Sequence, residues 1–170
     1  MPSISPELKI EVQEFLWFEA SLLEDNRLEE WLGLMSDDVH YVMPVRRNTQ
    51  PRTGAKNTDD EAGFTLYDDD KGSLTLRVRR LATGIAHAET PPSVTQRFIT
   101  NVRVEHSEDG QSLWAHSNFL VYQERRGRHN ATFIGKRRDR LSHVGGLLKI
   151  AERHIMLAQA ILPTTISIFF

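Results

Sequence analysis

The sequence contains no cysteine. This absence excludes disulfides, cysteine-ligated zinc, a thiol nucleophile and any iron–sulfur cluster held by this chain. The sequence also lacks a basic excess, since 21 Lys and Arg stand against 23 Asp and Glu for a formal net charge of -2. Proteins that bind nucleic acids usually carry a basic excess that replaces phosphate counterions, so we expect no nucleic-acid partner.

Long hydrophobic runs are absent as well. No stretch approaches the roughly 18 apolar residues that a membrane span needs, and the N-terminus lacks a basic-then-apolar signal pattern. We therefore expect a cytoplasmic protein with no membrane partner. The chain has 170 residues, 39% of them hydrophobic, which suits one domain with its own core. We predict a single domain over residues 1–170.

The first half of the sequence predicts helices. The segment Ser5-Pro6-Glu7 suits a helix start, because Ser can accept an orphan N–H, Pro needs no donor there, and Glu suits the positive helix end. The apolar residues that follow at helical spacing are Leu8, Val12, Phe15, Leu16, Leu22 and Leu23. A second helix is predicted from Leu28 to Met35 and should end at Asp37-Asp38.

The segment after the second helix contains a strand and a loop. Val39 to Met43 predicts a strand that Pro44 stops, and the polar stretch from Arg47 to Gly63 predicts a long loop. The acidic run Asp68-Asp69-Asp70 lacks the ligand spacing of a calcium loop, so we interpret Asp70 as a helix cap. The spacing of Leu74, Val78 and Leu81 fits a third helix, although Leu74, Leu76 and Val78 also alternate as in a strand.

From Val94 onward the pattern has a period of two, which is typical of strands. The four predicted strands are Phe98–Glu105, Ser112–Glu124, Ala131–Ser142 and Leu147–Leu162. Tight connections between them predict an antiparallel meander. The expected fold class is therefore α+β: a cone in which N-terminal helices pack into a strongly curved antiparallel sheet.

Histidines are the main candidates for chemistry. The seven histidines are His40, His87, His106, His116, His129, His143 and His154. None shows the spacing that places two imidazoles on one helix face for a metal, so we interpret most of them as surface or hydrogen-bonded residues. One alternative stays open: a general acid–base site within the cone, using His40 or His154 with Tyr41, Tyr122 or Asp38.

Three basic runs are present: Arg77/Arg79/Arg80, Arg125/Arg126/Arg128 and Lys136/Arg137/Arg138/Arg140. They could bind phosphates, but next to apolar residues they more often form a solvated or partner-facing surface. We favour an interface role for the first run, since guanidinium groups suit carboxylates or carbonyls across an interface.

The last residues of the sequence are strongly apolar, with Phe169 and Phe170 at the very end. Leaving a Phe ring in water forfeits roughly 1.5–3 kcal/mol relative to burial, so we predict that both rings are buried. Either the interior of the chain's own cone or another subunit could cover them. We favour the cone.

Several segments resemble, in order and spacing, the β (small) subunits of bacterial aromatic-ring-hydroxylating dioxygenases of the biphenyl and naphthalene type. The segments that carry the resemblance are Phe15 to Ala20, Leu28 to Leu32, Asp38 to Arg46, Leu76 to Leu81, Ala88 to Thr95, Gly135 to Asp139 and Ser167 to Phe170. Around the Pro91-Pro92 pair the sequence departs from the family pattern at Thr90, Val94, Gln96 and Arg97.

The resemblance implies a cone like that of nuclear transport factor two and ketosteroid isomerase, within an α3β3 hexamer that includes β–β trimer contacts. It implies that the α subunit holds the Rieske [2Fe–2S] cluster and the mononuclear iron, and that a ferredoxin and a reductase serve the complex. It implies no catalytic, cofactor-binding or metal-binding residue on this chain. A Rieske site needs two Cys ligands, which agrees with the absence of cysteine here.

Assembly is therefore the expected role of this chain's candidate residues. The residues that we predict to serve assembly or interfaces are Arg46, Arg77, Arg79, Arg80, Pro91, Pro92, Arg97, Phe169 and Phe170. The alternative function is a stand-alone isomerase or dehydratase that uses buried acid–base groups on the same cone, since fold alone does not decide function.

Overall fold

The computed structural model describes residues 4–45, 64–83, 91–125, 127 and 129–170. Three helices and six strands follow one another along these residues. In chain order they are α1 (Pro6–Glu24), α2 (Leu28–Gly33), β1 (Met35–Pro44), β2 (Thr65–Asp69), α3 (Lys71–Ala82), β3 (Val94–His106), β4 (Leu113–Arg125), β5 (His129–Val144) and β6 (Leu147–Leu157). None of the helices in these ranges is long and apolar enough to cross a membrane.

Helix α1 starts as its sequence predicts. The Ser5 hydroxyl accepts a hydrogen bond from the Leu8 N–H at 3.2 Å, and Pro6 occupies the first turn. Its inward face buries Val12, Leu16, Leu22 and Leu23 against the sheet. Capping and apolar spacing therefore agree with each other, which is the usual mark of a well-specified helix.

Helix α2 is shorter than its spacing predicts, because Met35 already belongs to β1. The Leu34 carbonyl accepts from the Ile150 N–H of β6 at 2.9 Å, which draws the chain into the sheet. The Lys71 ammonium donates to the carbonyls of Leu32 and Met35 at 2.8 and 2.7 Å. The prediction that this helix continues to Asp37-Asp38 is wrong, since tertiary hydrogen bonds end it at Gly33.

Strand β2 was not predicted, because its residues run into the acidic segment that ends at Asp70. It pairs antiparallel with β1, so that Asp69 lies opposite Tyr41. The Asp70 carboxylate then accepts from the Ser73 N–H at 2.7 Å and caps α3, as predicted. Helix rather than strand is confirmed for α3, with Leu74 and Val78 buried.

The six strands form one sheet in the order β2-β1-β6-β5-β4-β3. The antiparallel meander from β3 to β6 is confirmed, and β3 begins at Val94, four residues before the predicted start. One pairing differs from the expected pattern: β1 lies parallel to β6. The predicted loop from Arg47 to Gly63 lies outside the described residues.

The α+β cone is confirmed, with the helices and the core on the concave side of the sheet. Register shifts bend the long strands at two places, between Thr100 and Arg103 and between Arg140 and Leu141. Asn101 adopts a positive φ of 54° at the first of these bulges. The core cluster joins residues of α1, α2, α3, the sheet and the last three residues of the chain.

Candidate functional site in the interior of the cone

The last residues of the chain occupy the interior of the cone. Phe169 and Phe170 are 4% and 1% exposed. The Phe169 ring stacks on Trp31 with 4.4 Å between the ring centroids. The Phe170 ring lies between Phe119 and Phe133, at centroid distances of 5.5 and 5.3 Å. Both rings are thus buried within the chain's own core, as predicted for this segment.

Polar side chains of the cone also hold the backbone of this segment. The Tyr41 hydroxyl donates to the Phe170 carbonyl and accepts from the Phe170 N–H, both at 2.9 Å. The Tyr67 hydroxyl donates to the Ile168 carbonyl at 2.9 Å. Since a buried polar group without a partner is costly, these bonds fix the backbone as firmly as the rings fix the side chains.

Behind Phe170 lies a buried cluster of four charged side chains: Glu19, Arg137, Asp139 and Arg153. Arg153 forms two hydrogen bonds to the Asp139 carboxylate, at 2.7 and 3.1 Å, and two to the Glu19 carboxylate, one of them at 3.1 Å. Its guanidinium also donates to the Phe170 carbonyl at 2.8 Å. Arg137 approaches Glu19 at 3.1 Å and Asp139 at 3.2 Å. Within this cluster two positive charges therefore face two negative charges.

Burial and the charges of the cluster shift the pKa values of Glu19, Arg153 and the neighbouring Tyr41. Burial alone would raise the pKa of Glu19, but the charges of Arg137 and Arg153 outweigh it and lower this pKa to about 2. Burial alone would lower the pKa of Arg153, and the carboxylates of Asp139 and Glu19 reverse this and raise it. Burial raises the pKa of Tyr41 to about 12, so its hydroxyl stays protonated. At neutral pH Glu19 and Arg153 therefore form a fixed ion pair rather than a proton-transfer site.

None of the four residues was predicted to lie in a buried charged cluster. The interpretation of Lys136/Arg137/Arg138/Arg140 as one charged surface is wrong for Arg137, whose side chain is 2% exposed. The missed signal was strand phase: Arg137 and Asp139 alternate with the same period as buried Phe133 and Leu141. Arg153 likewise falls in phase with buried Ile155.

The candidate acid–base residues do not converge. His40 lies on the convex face of the sheet, where its ring nitrogen is 2.9 Å from the Asp68 carboxylate and its side chain is 57% exposed. His154 lies on the same outward face of β6, whereas Tyr41 points into the cone. Tyr122 lies on β4, two strands from His154, and Asp38 accepts from the Ser36 hydroxyl. The described residues thus form no acid–base site of the expected composition.

Two other histidines of the described ranges pair with surface carboxylates. His116 lies 2.9 Å from Glu105, and His143 lies 3.1 Å from Glu11. His87 lies outside the described residues. Within those residues no group of three or more His, Asp or Glu side chains is placed to hold a metal ion.

The candidate assembly residues divide into an internal and an external set. Arg97, Phe169 and Phe170 are buried, and the Arg97 guanidinium donates to the Phe169 carbonyl at 2.9 Å. Arg77 is partly exposed, lies 2.7 Å from Asp69 and places its guanidinium 4.7 Å from the Tyr67 ring centroid. The exposed members are Arg79, Arg80, Pro91 and Pro92. Arg46 lies outside the described residues.

The sequence is similar to known β subunits along nearly its whole length. The family model described as "Ring hydroxylating beta subunit" matches residues 18–164. The β subunit of benzene 1,2-dioxygenase from Pseudomonas putida strain F1 is 34% identical over 172 residues, which cover 98% of this chain and 91% of that protein. The β subunit of biphenyl 2,3-dioxygenase from Rhodococcus jostii RHA1 is 32% identical over 170 residues, with the same coverage of 98% and 91%.

Solved structures agree on the fold. A chain of naphthalene 1,2-dioxygenase with indole bound in its active site superposes with a TM-score of 0.84 at 23% identity, covering 100% of this chain and 89% of that one. A hexachlorocyclohexane dehydrochlorinase shares the cone with a TM-score of 0.58 at 10% identity, over 89% of this chain and 85% of that one. Since the cone serves both kinds of protein, the sequence relatives and not the fold decide the family. The chain belongs to the ring-hydroxylating β-subunit family and is the β subunit of an aromatic-ring-hydroxylating dioxygenase, an enzyme whose catalysis takes place on its α subunit.

Proposed function

We propose that this chain is the structural subunit of a cytoplasmic α3β3 terminal oxygenase that adds both oxygen atoms of O2 to an aromatic ring. Its partner α subunit would carry the Rieske [2Fe–2S] cluster and the mononuclear iron, and a ferredoxin and a reductase would supply electrons. This chain offers no cysteine for a Rieske cluster, which needs two. Residues 1–170 would act in the hexamer as one domain.

The occupied interior of the cone is the observation that carries this proposal. Phe169 and Phe170 fill the space between Trp31, Phe119 and Phe133, and the ion pairs behind them are fully buried. A cone enzyme needs room there for its substrate, together with acid–base groups that reach it. The filled interior favours a rigid scaffold over the isomerase or dehydratase alternative.

We place the surface for a neighbouring subunit on the outward side of α3. Leu76 is 67% exposed there, and Arg79 and Arg80 are exposed on the same helix. An exposed apolar side chain next to guanidinium groups suits an interface, because Arg can donate to planar carboxylates while the apolar group is buried. Pro91 and Pro92, both exposed, are candidates for the same surface.

The proposal is tested by assembling this chain with its α subunit. The α subunit is identified by a Cys-x-His…Cys-x-x-His pattern in the product of a neighbouring reading frame. Co-expressed wild-type chains should sediment as one hexamer with turnover. The double variant Arg79→Glu/Arg80→Glu should keep the melting temperature of the isolated β chain but lose co-purification. The control Lys136→Glu, an exposed basic residue on the convex face of the sheet, should leave assembly unchanged.

Two results would contradict the proposal. Stoichiometric iron or arene turnover in the isolated β chain would refute a purely structural role. Normal hexamers formed by the Arg79→Glu/Arg80→Glu chain would refute the interface on α3 and leave the family assignment intact.

A further inference from the structure

A second space lies beside the filled interior of the cone. It is a partly enclosed cavity of about 150 Å³ between the α1–α2 turn, the end of α3, the start of β3 and the last residues of the chain. A dry protein cavity of about this volume accommodates a benzene-sized molecule. The space therefore has the volume of about one unsubstituted aromatic ring, and a substituent would lie towards its open side.

Apolar residues form about half of the wall that the described residues provide. They include Leu23, Leu28, Val78, Leu81, Ala82 and Phe169. The Phe169 ring is fixed by its stack on Trp31 and by contacts with the Tyr41 and Tyr67 rings. A fixed aromatic ring beside leucine side chains suits an aromatic ligand, since ring pairs are favourable beyond the area that they bury.

Arg97 adds to this wall a positively charged side chain, and some of its hydrogen-bond donors have no acceptor. The residue is 8% exposed. Of the five N–H groups of a guanidinium, two donate: one to the Thr95 hydroxyl at 2.7 Å and one to the Phe169 carbonyl at 2.9 Å. The Arg97 Nε has no hydrogen-bond partner. A buried guanidinium with unused donors favours an additional acceptor, and a charged acceptor most of all.

The carboxylates near Arg97 leave room for such an acceptor. Glu19 and Glu24 attract the Arg97 guanidinium without a hydrogen bond to it, and Glu24 also accepts from the backbone N–H of Arg97. Glu29 is the acidic side chain among the described residues of the wall, and it is exposed, so that water screens its charge. Burial lowers the pKa of Arg97 to about 10, which still leaves it protonated at neutral pH.

We propose that this cavity binds a small aromatic carboxylate, with the ring against Phe169, Leu28 and Leu81 and the carboxylate accepting from Arg97. The site belongs to this chain alone and does not depend on the assembly described above. Its occupant would connect the end of α3 with the buried last residues, because both contribute to the wall.

Benzoate is the probe, and the full-length β chain is the protein. Calorimetric titration and thermal shift should show saturable binding of one benzoate per chain. Benzyl alcohol, which keeps the ring but lacks the charge, should bind at least about tenfold more weakly, since a charge-assisted bond contributes roughly 1.5–3 kcal/mol. Acetate, which keeps the charge but lacks the ring, should show no saturable binding.

Two variants separate the cavity from general effects on stability. Ala82→Trp adds a large side chain to the cavity wall and should abolish benzoate binding. Leu76→Trp adds the same side chain to the exposed side of the same helix and should bind benzoate as the wild type does. Arg97→Gln should weaken benzoate binding at least about tenfold while leaving benzyl alcohol binding nearly unchanged.

Absence of saturable benzoate binding to the wild-type chain would overturn the proposal. Equal stabilisation by acetate and benzoate would do the same, because it would indicate a general anion effect. Undiminished binding to Ala82→Trp would place the ligand elsewhere and also overturn it. None of these outcomes bears on co-purification with the α subunit.

Discussion

Strand β5 places arginines on both sides of the sheet. The arginine on the concave side is buried, and those on the convex side face solvent. Arg137 points into the cone, where its side chain is 2% exposed and lies 3.1 Å from Glu19. Arg138, the next residue, lies exposed on the convex side with its guanidinium 3.7 Å from the Trp114 ring centroid. Neighbouring residues of a strand point to opposite faces, so one step along the chain separates a buried ion pair from a solvated cation.

This difference shows where the charges of this protein matter for its stability. A charge on the convex side keeps its water when a partner is removed, so exposed pairs contribute little. A charge in the cone has lost its water and depends on fixed partners, so the loss of one partner leaves another uncompensated. We therefore expect the same substitution to lower the unfolding free energy much more inside the cone than on the convex side.

The largest effect is expected for Arg153→Met. It removes the guanidinium that joins Glu19, Asp139 and the Phe170 carbonyl, and should cost about 3–5 kcal/mol of unfolding free energy. The matched variant Arg138→Met on the convex side should cost no more than about 1 kcal/mol. Urea unfolding of both variants measures the difference. Equal losses would show that the cone does not isolate its charges from water.

The next largest loss of stability is expected when an aromatic ring is removed from the interior of the cone. Phe170→Ala should cost about 3 kcal/mol, because the ring lies buried between Phe119 and Phe133. Ile161→Ala is the control, since Ile161 is 87% exposed and the change should fall within about 0.5 kcal/mol.

Because Phe170 packs in its own chain, the loss in melting temperature should be the same at every protein concentration. A loss that disappears at high concentration would instead indicate that a second chain holds the segment. Deletion of Ser167 to Phe170 should lower the melting temperature in the same concentration-independent way.

An effect of similar size is expected from acid. The pKa of Glu19 is near 2 in the folded chain and near 4.5 when unfolded, so the ionised group stabilises the fold fully above pH 4.5. This contribution should be lost as the pH falls from about 4.5 to about 2. Glu19→Gln should be less stable at neutral pH and should lose less stability over that interval. Parallel acid profiles for the two proteins would contradict the assigned role of Glu19.

The smallest effect is expected for histidines on the convex side. His40→Ala and His154→Ala should change the unfolding free energy by about 0.5 kcal/mol or less and leave turnover of the assembled complex within a small factor. An acid–base role would be worth about 10² to 10⁴-fold. A loss of that size in a normally assembled hexamer would return the isomerase or dehydratase alternative to consideration.

Sequence patterns predicted the local features of the fold well. The caps at Ser5 and Asp70, the apolar face of α1 and the long strands after Val94 all depend on residues close together in the chain. The apolar spacing of Leu28 to Met35 failed as a guide to the end of α2, because the hydrogen bond from Ile150 to Leu34 ends the helix early. A pattern of apolar residues does not contain that bond.

The candidate site was predicted in part. Burial of Phe169 and Phe170 followed from the cost of leaving two rings in water, a property of the residues themselves. The strand phase of Arg137 and Arg153 was present in the sequence but was outweighed by the general rule that charged runs are solvated. No sequence pattern indicated the pairing of β1 with β6, since parallel strands are not connected by a tight turn that the sequence would reveal.

By itself the sequence determined the helix starts, the alternation of the strands, the need to bury its last two rings, and the absence of a Rieske site on this chain. Strand phase indicated the inward direction of Arg137 and Arg153, and only the tertiary structure decided that Glu19 meets them there. Glu19 and Arg153 are 134 positions apart, and they meet because α1 packs into the concave side of the sheet. Burial makes a guanidinium depend on its partners, and burial is a property of the whole fold rather than of any segment.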